Sequence, residues 1–429
     1  MSYKKKLNNN IKKIDVIIVI ILIIIAGFVL VEVGYISPFE EDIFNPIEDD
    51  EEIIKPVEPP PPIPPESITM GFMRAVSPED EGVHFDKISI GREWWYFSAV
   101  FSENSDLSEW VVSISFNHMA RGDLIGTQKP DIHLITLHGP NGEEYGGIIN
   151  KERGLGLIKQ PTLKANSPGV NVRFDDSWAE GQSPEWHVYA EDNEIDSNHE
   201  IIIDLNYFAP FEPIWTIGDK AFENVDSNLA SYMFTGCIVE GKIIIDGKEY
   251  NVNGTGHHEH SWSPNIVTRG LINGWDWSHL TLENGWNIYY VNYYPTPQFV
   301  SSLSSKINPY GSFIITTDKG NTITVLDNIN PEITKSNDEI FPFVRIPLEI
   351  NINAKAGLSQ PLLSTYNIEI NVDIKSENNY EKIWKFPTYV GMSIGRSSIV
   401  GNIEWTDDEG FHEIELDGIG TQWSMRALL

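Results

Sequence analysis

The densest run of side chains able to carry chemistry is Gly254-Thr255-Gly256-His257-His258-Glu259-His260-Ser261-Trp262. In an extended segment, alternation puts His258, His260 and Trp262 on one face and His257 and Glu259 on the other. Three readings are open. In the first, His260 is a general acid/base that titrates near neutrality, Glu259 orients or charges it, and Trp262 is an aromatic wall. In the second, His-x-His supplies two metal ligands for Zn or Fe, with a third from His118, His133, His138 or His279, none of which the sequence places. In the third, the histidines are hydrogen-bonded at a barrel mouth. A second cluster is Glu93-Trp94-Trp95-Tyr96-Phe97. Here alternation separates Trp94 and Tyr96 from Glu93, Trp95 and Phe97. A glutamate in such a run is costly unless paired or solvated. Facing a cavity, Glu93 becomes a second carboxylate near His260; at a rim, it pairs with Arg92 or Arg121.

Strands must position these residues. From residue 67 onward no helix-length period is evident, and short alternating or β-branched segments recur between Gly, Asn, Asp and Pro. Expected strands include Trp110–Asn117, Asp131–Leu137, Glu200–Tyr207, Gly241–Ile245, Ile288–Tyr293, Ser312–Thr316, Thr322–Leu326, Tyr366–Ile374 and Ile399–Trp405. Pro140-Asn141-Gly142, Asp246-Gly247, Glu283-Asn284-Gly285 and Asp408-Glu409-Gly410 are hairpin signals. A weak repeat pairs Gly91-Arg92-Glu93-Trp94 with Gly274-Trp275-Asp276-Trp277, each followed by strand, turn, Trp and strand. The two copies stand about half the length of the β region apart, which implies two β domains of similar architecture, dividing near residue 268. Gly-x-acid-Trp suits the first strand of a barrel, where Trp closes one end and Gly lets the chain pass beneath it. Lipocalin barrels begin this way and enclose an apolar cavity.

Composition narrows the function. The 429 residues carry 30 Lys+Arg against 62 Asp+Glu, a formal charge of −32. Such a surface repels phosphate backbones, and no basic cluster lies outside the N-terminus, so nucleic acid is not an expected partner. The single Cys237 excludes a disulfide framework, a CxxC redox site, a Cys-rich zinc site and an iron–sulfur centre. Lys4, Lys5, Lys6, Lys12 and Lys13 precede an uninterrupted apolar run from Val16 to Val31, bordered by Asp15 and Glu32; with the apolar residues outside those borders the stretch extends from Ile14 to Ile36. A membrane-spanning helix needs about 20 residues, and this stretch is long enough for one. The lysines place the N-terminus in the cytoplasm and the rest outside the membrane. Residues 38–66 hold ten acids, one lysine and the run Pro59–Pro62, which predicts an extended, self-repelling, disordered stalk. The expected organisation is a basic tail at 1–13, a transmembrane helix at 14–36, an acidic Pro-rich linker at 37–67, and β domains at 68–268 and 269–429. The tail and helix carry +3, the stalk −9 and the β domains −26.

The motifs together resemble a lipocalin-like family that includes hydroxyneurosporene synthase (carotenoid hydratase) and the AttH-type proteins, to which the fungal Diels–Alderases are similar. The resemblance rests on Glu93–Phe97, Ser231-Tyr232 with Gly241–Tyr250, Val252–Trp262, Gly274–Trp277 and Leu282-Glu283-Asn284-Gly285, in that order, across residues 75–429. It implies an all-β fold of two tandem lipocalin-like antiparallel barrels, with a hydrophobic pocket between or within them. In the hydratase branch it implies addition of water to an isoprenoid double bond by a His and an Asp, without metal. The family His falls on His260, its Trp on Trp262, and the preceding acid on Glu259. Three positions depart from the pattern. Glu259 is a glutamate where the family has Asp. His257 stands where a Trp is expected, and the later Tyr-x-Asp falls on Tyr290-Val291-Asn292, an amide that cannot protonate an alkene.

The expectation is therefore a membrane-tethered protein whose partner is a hydrophobic small molecule, isoprenoid- or lipid-like, with no cofactor. As an enzyme it is hydro-lyase- or isomerase-like, with His260 and Glu259 catalytic. Glu93, Trp94, Tyr96, His258, Trp262, Trp277, Tyr290 and Asn292 line the pocket. The rivals are a carrier using the same pocket without turnover, and a His-ligated metal enzyme.

Overall fold

The computed structural model describes residues 74–88, 91–118, 131–151, 163–192, 199–217, 230–264, 272–295, 311–326, 329–337, 346–356, 368–384, 389–407 and 410–428. The expected membrane helix at 14–36 and the stalk lie outside these residues. No helix among the described residues is long and apolar enough to cross a membrane.

One helical turn, α1 (Pro78–Glu81), precedes the strands. The first twelve are β1 (Gly91–Phe101), β2 (Val111–His118), β3 (Asp131–His138), β4 (Glu144–Lys151), β5 (Leu163–Ala165), β6 (Val170–Phe174), β7 (Ser177–Gln182), β8 (Glu185–Asp192), β9 (Ile201–Phe208), β10 (Ile214–Ile217), β11 (Ala230–Ile245) and β12 (Lys248–Pro264). Nine more follow: β13 (Ile272–Leu282), β14 (Asn287–Pro295), β15 (Gly311–Thr316), β16 (Thr322–Leu326), β17 (Ile329–Asn337), β18 (Ile346–Ala356), β19 (Ile368–Trp384), β20 (Tyr389–Asp407) and β21 (Gly410–Leu428). They form two curled antiparallel sheets. The first runs β4-β3-β2-β1-β12-β11-β9-β8-β7-β6-β5, with β10 beside β11; the second runs β16-β15-β14-β13-β21-β20-β19-β18-β17. Each stretch expected from alternation falls on a strand, apart from Trp110 and Glu200 at their ends; Tyr366 and Asn367 lie outside the described residues. Asp246 and Gly247 both take positive φ in the two-residue turn that pairs Ile245 with Lys248, the geometry such a hairpin demands.

The repeat has a structural counterpart. β1 pairs with β12, the last strand of its sheet, and β13 pairs with β21, the last strand of the other. The two Gly-x-acid-Trp segments thus hold the same topological place.

Burial shows where the sheets meet. β6, β8 and β9 alternate between buried and exposed, as strands with one wet face do. β2 and β3 are buried at all positions, and so is β12 from Gly256 to Ser263. One face of these strands lines the first sheet's core, which includes Trp95, Phe97, Tyr232 and Trp262. The other face joins an apolar layer shared by both sheets, with Tyr96, Ile132 and Leu134 meeting Trp277, Tyr289, Ile314 and Trp423. The second sheet encloses its own core around Tyr290, Phe313 and Trp405. Hydrogen bonds from Tyr96 Oη to Thr421 Oγ1 and from Thr235 Oγ1 to Thr316 Oγ1, both 3.0 Å, tie the sheets together. Gly236 sits in a bulge of β11 at φ +68, where a side chain would meet Asn287 of the second sheet.

Candidate functional site

Strand alternation sorts the polar residues into separate places. On the first sheet's inner face, Glu93 Oε1 accepts from His260 Nε2 at 2.7 Å and from His84 Nδ1 at 3.1 Å. The backbone N–H groups of His84 (2.9 Å) and Phe85 (2.7 Å) donate to Glu93 Oε2. The other ring nitrogen of His260, Nδ1, accepts from Tyr232 Oη at 3.2 Å. The His84 ring stacks on Trp262, centroids 3.8 Å apart, and Trp95 stacks on His260. Burial alone would raise the Glu93 carboxyl, but the bonds from His260 and His84 outweigh it and hold it below the usual range. Burial lowers His260, and the bond and charge of Glu93 offset this only in part.

His84 arrives on a strap. Ser77 and Asp80 form a capping box around α1, and Pro78 suits its first turn. Glu81 then accepts from the Ser183 N–H and from Trp186 Nε1 at 2.8 Å, while its carbonyl accepts from Trp95 Nε1. The strap is thereby fastened across the first sheet's interior. His84, Glu93 and His260 offer three donor atoms within 4.8 Å of one another, a spacing that could hold a metal ion. Holding one would require His260 Nε2 to give up the proton it shares with Glu93.

On the opposite face of β1 and β12, between the sheets, lies a different group. Glu259 Oε1 accepts from Trp94 Nε1 at 3.2 Å, and Glu259 Oε2 lies 3.5 Å from His279 Nε2 of the second sheet. His257 meets His279 edge-on at 4.7 Å, and Tyr96, Trp277, Tyr289 and Trp423 surround them. Burial raises the Glu259 carboxyl to about 8, with the Trp94 bond a smaller opposing effect. Burial also lowers His279 to about 3 and His257 well below its ordinary value. At pH 7 the site holds a protonated carboxylic acid beside two neutral imidazoles. Glu259 Oε2, His257 Nε2, both ring nitrogens of His279, Trp277 Nε1 and Trp423 Nε1 have no hydrogen-bond partner among the described residues. Buried polar atoms are ordinarily paired, so such a concentration marks a place for a ligand's polar atoms or water.

The ten residues singled out from the sequence thus fall in three compartments. Glu93, His258, His260 and Trp262 face the first sheet's interior, and Trp94, Tyr96, Glu259 and Trp277 lie between the sheets. Tyr290 and Asn292 lie on β14, where Asn292 is the cross-strand partner of Asp276 and Tyr290 belongs to the second core. His260 and Glu259 do not meet, because adjacent residues of a strand point apart; the carboxylate on His260 is Glu93. Nor does Arg92 pair with Glu93, for the same reason. His258 donates from Nδ1 to the Tyr96 carbonyl at 3.1 Å and stacks on Phe97. Among the described residues it is not one of the three donors spaced for a metal ion. His84 had no sequence signal, since the strap lies outside any strand. The sequence offers His279 only as one of four histidines that it does not place.

No family model matches the chain, and no curated protein matches it either. Among solved structures, it is similar to one from Nitrosomonas europaea described as AttH, with 15% identity, 82% of this chain and 96% of that one covered, and a TM-score of 0.53. It also matches kievitone hydratase from Nectria haematococca (12% identity, 82% and 96% covered, TM-score 0.48) and CghA bound to Sch210972 (10% identity, 79% and 89% covered, TM-score 0.46). Likeness at so low an identity speaks to fold alone, and at that level the resemblance carried by the motifs holds: the chain has the two-sheet, lipocalin-like architecture of the AttH-type structures.

Proposed function

We propose that the chain binds an apolar small molecule between its two sheets and transforms it by proton transfer from Glu259. The observation that carries this reading is the set of buried, unpartnered polar atoms inside an aromatic frame. Glu259 is the donor because it is neutral at pH 7. Its O–H bond breaks as a C–H bond forms on a substrate double bond, leaving a carboxylate and a carbocation. The faces of Trp277, Tyr96 and Trp423 stabilise that cation. Water adds to it, and the proton returns to Glu259 through the neutral His279, 3.5 Å away. Loss of a different proton from the cation would give isomerisation or cyclisation at the same site. This moves the acid/base role from His260 to Glu259 and supplies the acid that Asn292 cannot.

The site is tested by binding. Full chain in mild detergent, titrated with an apolar fluorescent probe, should quench tryptophan emission. Trp277→Ala and Trp423→Ala should weaken binding about tenfold or more, and Tyr290→Phe, in the second core, should leave it unchanged. The reverse pattern would move the ligand out of the inter-sheet layer.

The same proposal assigns each sheet to a domain, dividing near residue 268, and anchors the chain through residues 14–36 with the N-terminus cytoplasmic. Sequencing the N-terminus of the mature protein should give residues before 37; a start beyond it would mean a cleaved leader.

A further inference from the structure

Arg92 stands at the rim of the inter-sheet site. It precedes Trp94 and Tyr96 on the same face of β1, is half-buried, and its guanidinium carbon lies 5.5 Å from the ring centroids of both Trp94 and Trp275. One indole comes from each sheet. Among the described residues no carboxylate pairs with Arg92, although burial pulls its guanidinium down to about 10, the Tyr293 phenol opposing that slightly. A half-buried cation has lost part of its hydration, and an anionic partner would make that good. The comparison within the molecule is direct: Arg426, at the end of the second sheet's β21, is paired with Asp276 at 2.9 Å and packs on Tyr294. Arg92 has the aromatic packing without the acid.

We propose that the ligand supplies that acid: Arg92 binds a carboxylate at one end of an apolar molecule whose body runs inward past Trp94 to Glu259 and Trp277. With an indole from each sheet against it, the guanidinium still has its N–H edge for bonding, and that edge matches a planar carboxylate bidentately. The Trp94 indole connects the two ends, touching Arg92 with its ring and donating to Glu259 through Nε1. The head is held at the mouth and the reacting carbon is presented to the neutral acid within. The substrate class is therefore an amphipathic carboxylic acid, a long-chain or isoprenoid acid rather than a pure hydrocarbon. This inference rests on the inter-sheet site proposed above.

The test compares cis-parinaric acid with its methyl ester, titrated into full chain in dodecyl maltoside with energy transfer from tryptophan as readout. The acid should bind the wild type about tenfold tighter than the ester, as expected for a charge-assisted pair. Arg92→Gln should abolish that preference while leaving ester affinity unchanged, and Arg92→Lys should retain part of it. Equal binding of acid and ester by the wild type, or a preference that survives Arg92→Gln, overturns the Arg92 assignment while the apolar site stands. Failure of both probes to bind overturns the inter-sheet site itself. The wild-type comparison decides the question even if a variant fails to fold.

Discussion

Glu259→Gln should make the protein more stable at pH 8 and abolish turnover without releasing the ligand. The stability half follows from linkage. In the unfolded chain Glu259 loses its proton near 4.5, whereas burial in the folded chain holds it to about 8. Between those values the native state binds more protons than the unfolded state, so stability falls as pH rises. Each unit of that window is worth about 1.4 kcal/mol, so the cost reaches several kcal/mol by pH 8. Glu81, raised by burial to about 7 despite its bonds from Ser183 and Trp186, acts in the same direction over a lower range. Wild type should therefore lose stability through both carboxyls up to about pH 7 and through Glu259 alone from there to about 8, and Glu259→Gln should make the first fall shallower and remove the second. Glutamine keeps the oxygen that accepts from Trp94, so packing and the indole bond survive. Thermal melts of both proteins at pH 5, 6.5 and 8 measure the effect; parallel curves would mean that Glu259 is ionised in the fold and cannot be the donor. On function, the variant should copurify with unconverted substrate where the wild type carries product. Identical ligand from both, by mass spectrometry of organic extracts, would make the chain a carrier.

Strand positions were legible because period-2 burial leaves a direct trace, and hairpin turns because φ > 0 selects Gly, Asn and Asp. Alternation also told which of Glu93 to Phe97 and His257 to Trp262 share a face. What it could not tell was what lies on each face. β1 and β12 are covered on both sides, so each face became a separate site: Glu93 with His260 inside the first sheet, Glu259 with His279 between the sheets. Pairing His260 with Glu259 from proximity in sequence contradicts the alternation itself. Trp423, on β21, is far from Glu259 along the chain, and His279, although on the very next strand, β13, belongs to the other sheet; only the packing of one sheet on another brings them there. Arg92 looked like a partner for its neighbour Glu93 for the same reason, and faces away from it.

The largest single loss of stability should come from Glu93→Gln, although the change is isosteric. Glu93 is an acceptor for four donors, two imidazoles and two backbone N–H groups, and is fully buried. Glutamine offers one oxygen and one NH₂. Whichever way the amide turns, its NH₂ confronts a donor, either the Phe85 N–H or the paired imidazoles. Leaving buried donors unmet while the charge that compensated them is removed costs about 3–5 kcal/mol. The loss should be directional: amide hydrogens of His84 and Phe85 should exchange faster, and protease should cut within residues 77–88 before the sheets open. The equivalent acid of the repeat provides the control. Asp276 receives Arg426 and the Tyr294 hydroxyl at one oxygen, while its other oxygen has no partner among the described residues. Asp276→Asn can keep the bonded oxygen in place and turn its NH₂ to the unmet side, so its urea midpoint should fall less. If the two variants lose equal stability, the strap is not what Glu93 holds. If Glu93→Gln alone frees residues 77–88, the buried carboxylate is the latch that closes the first sheet, and His260 is part of that latch rather than of the chemistry between the sheets.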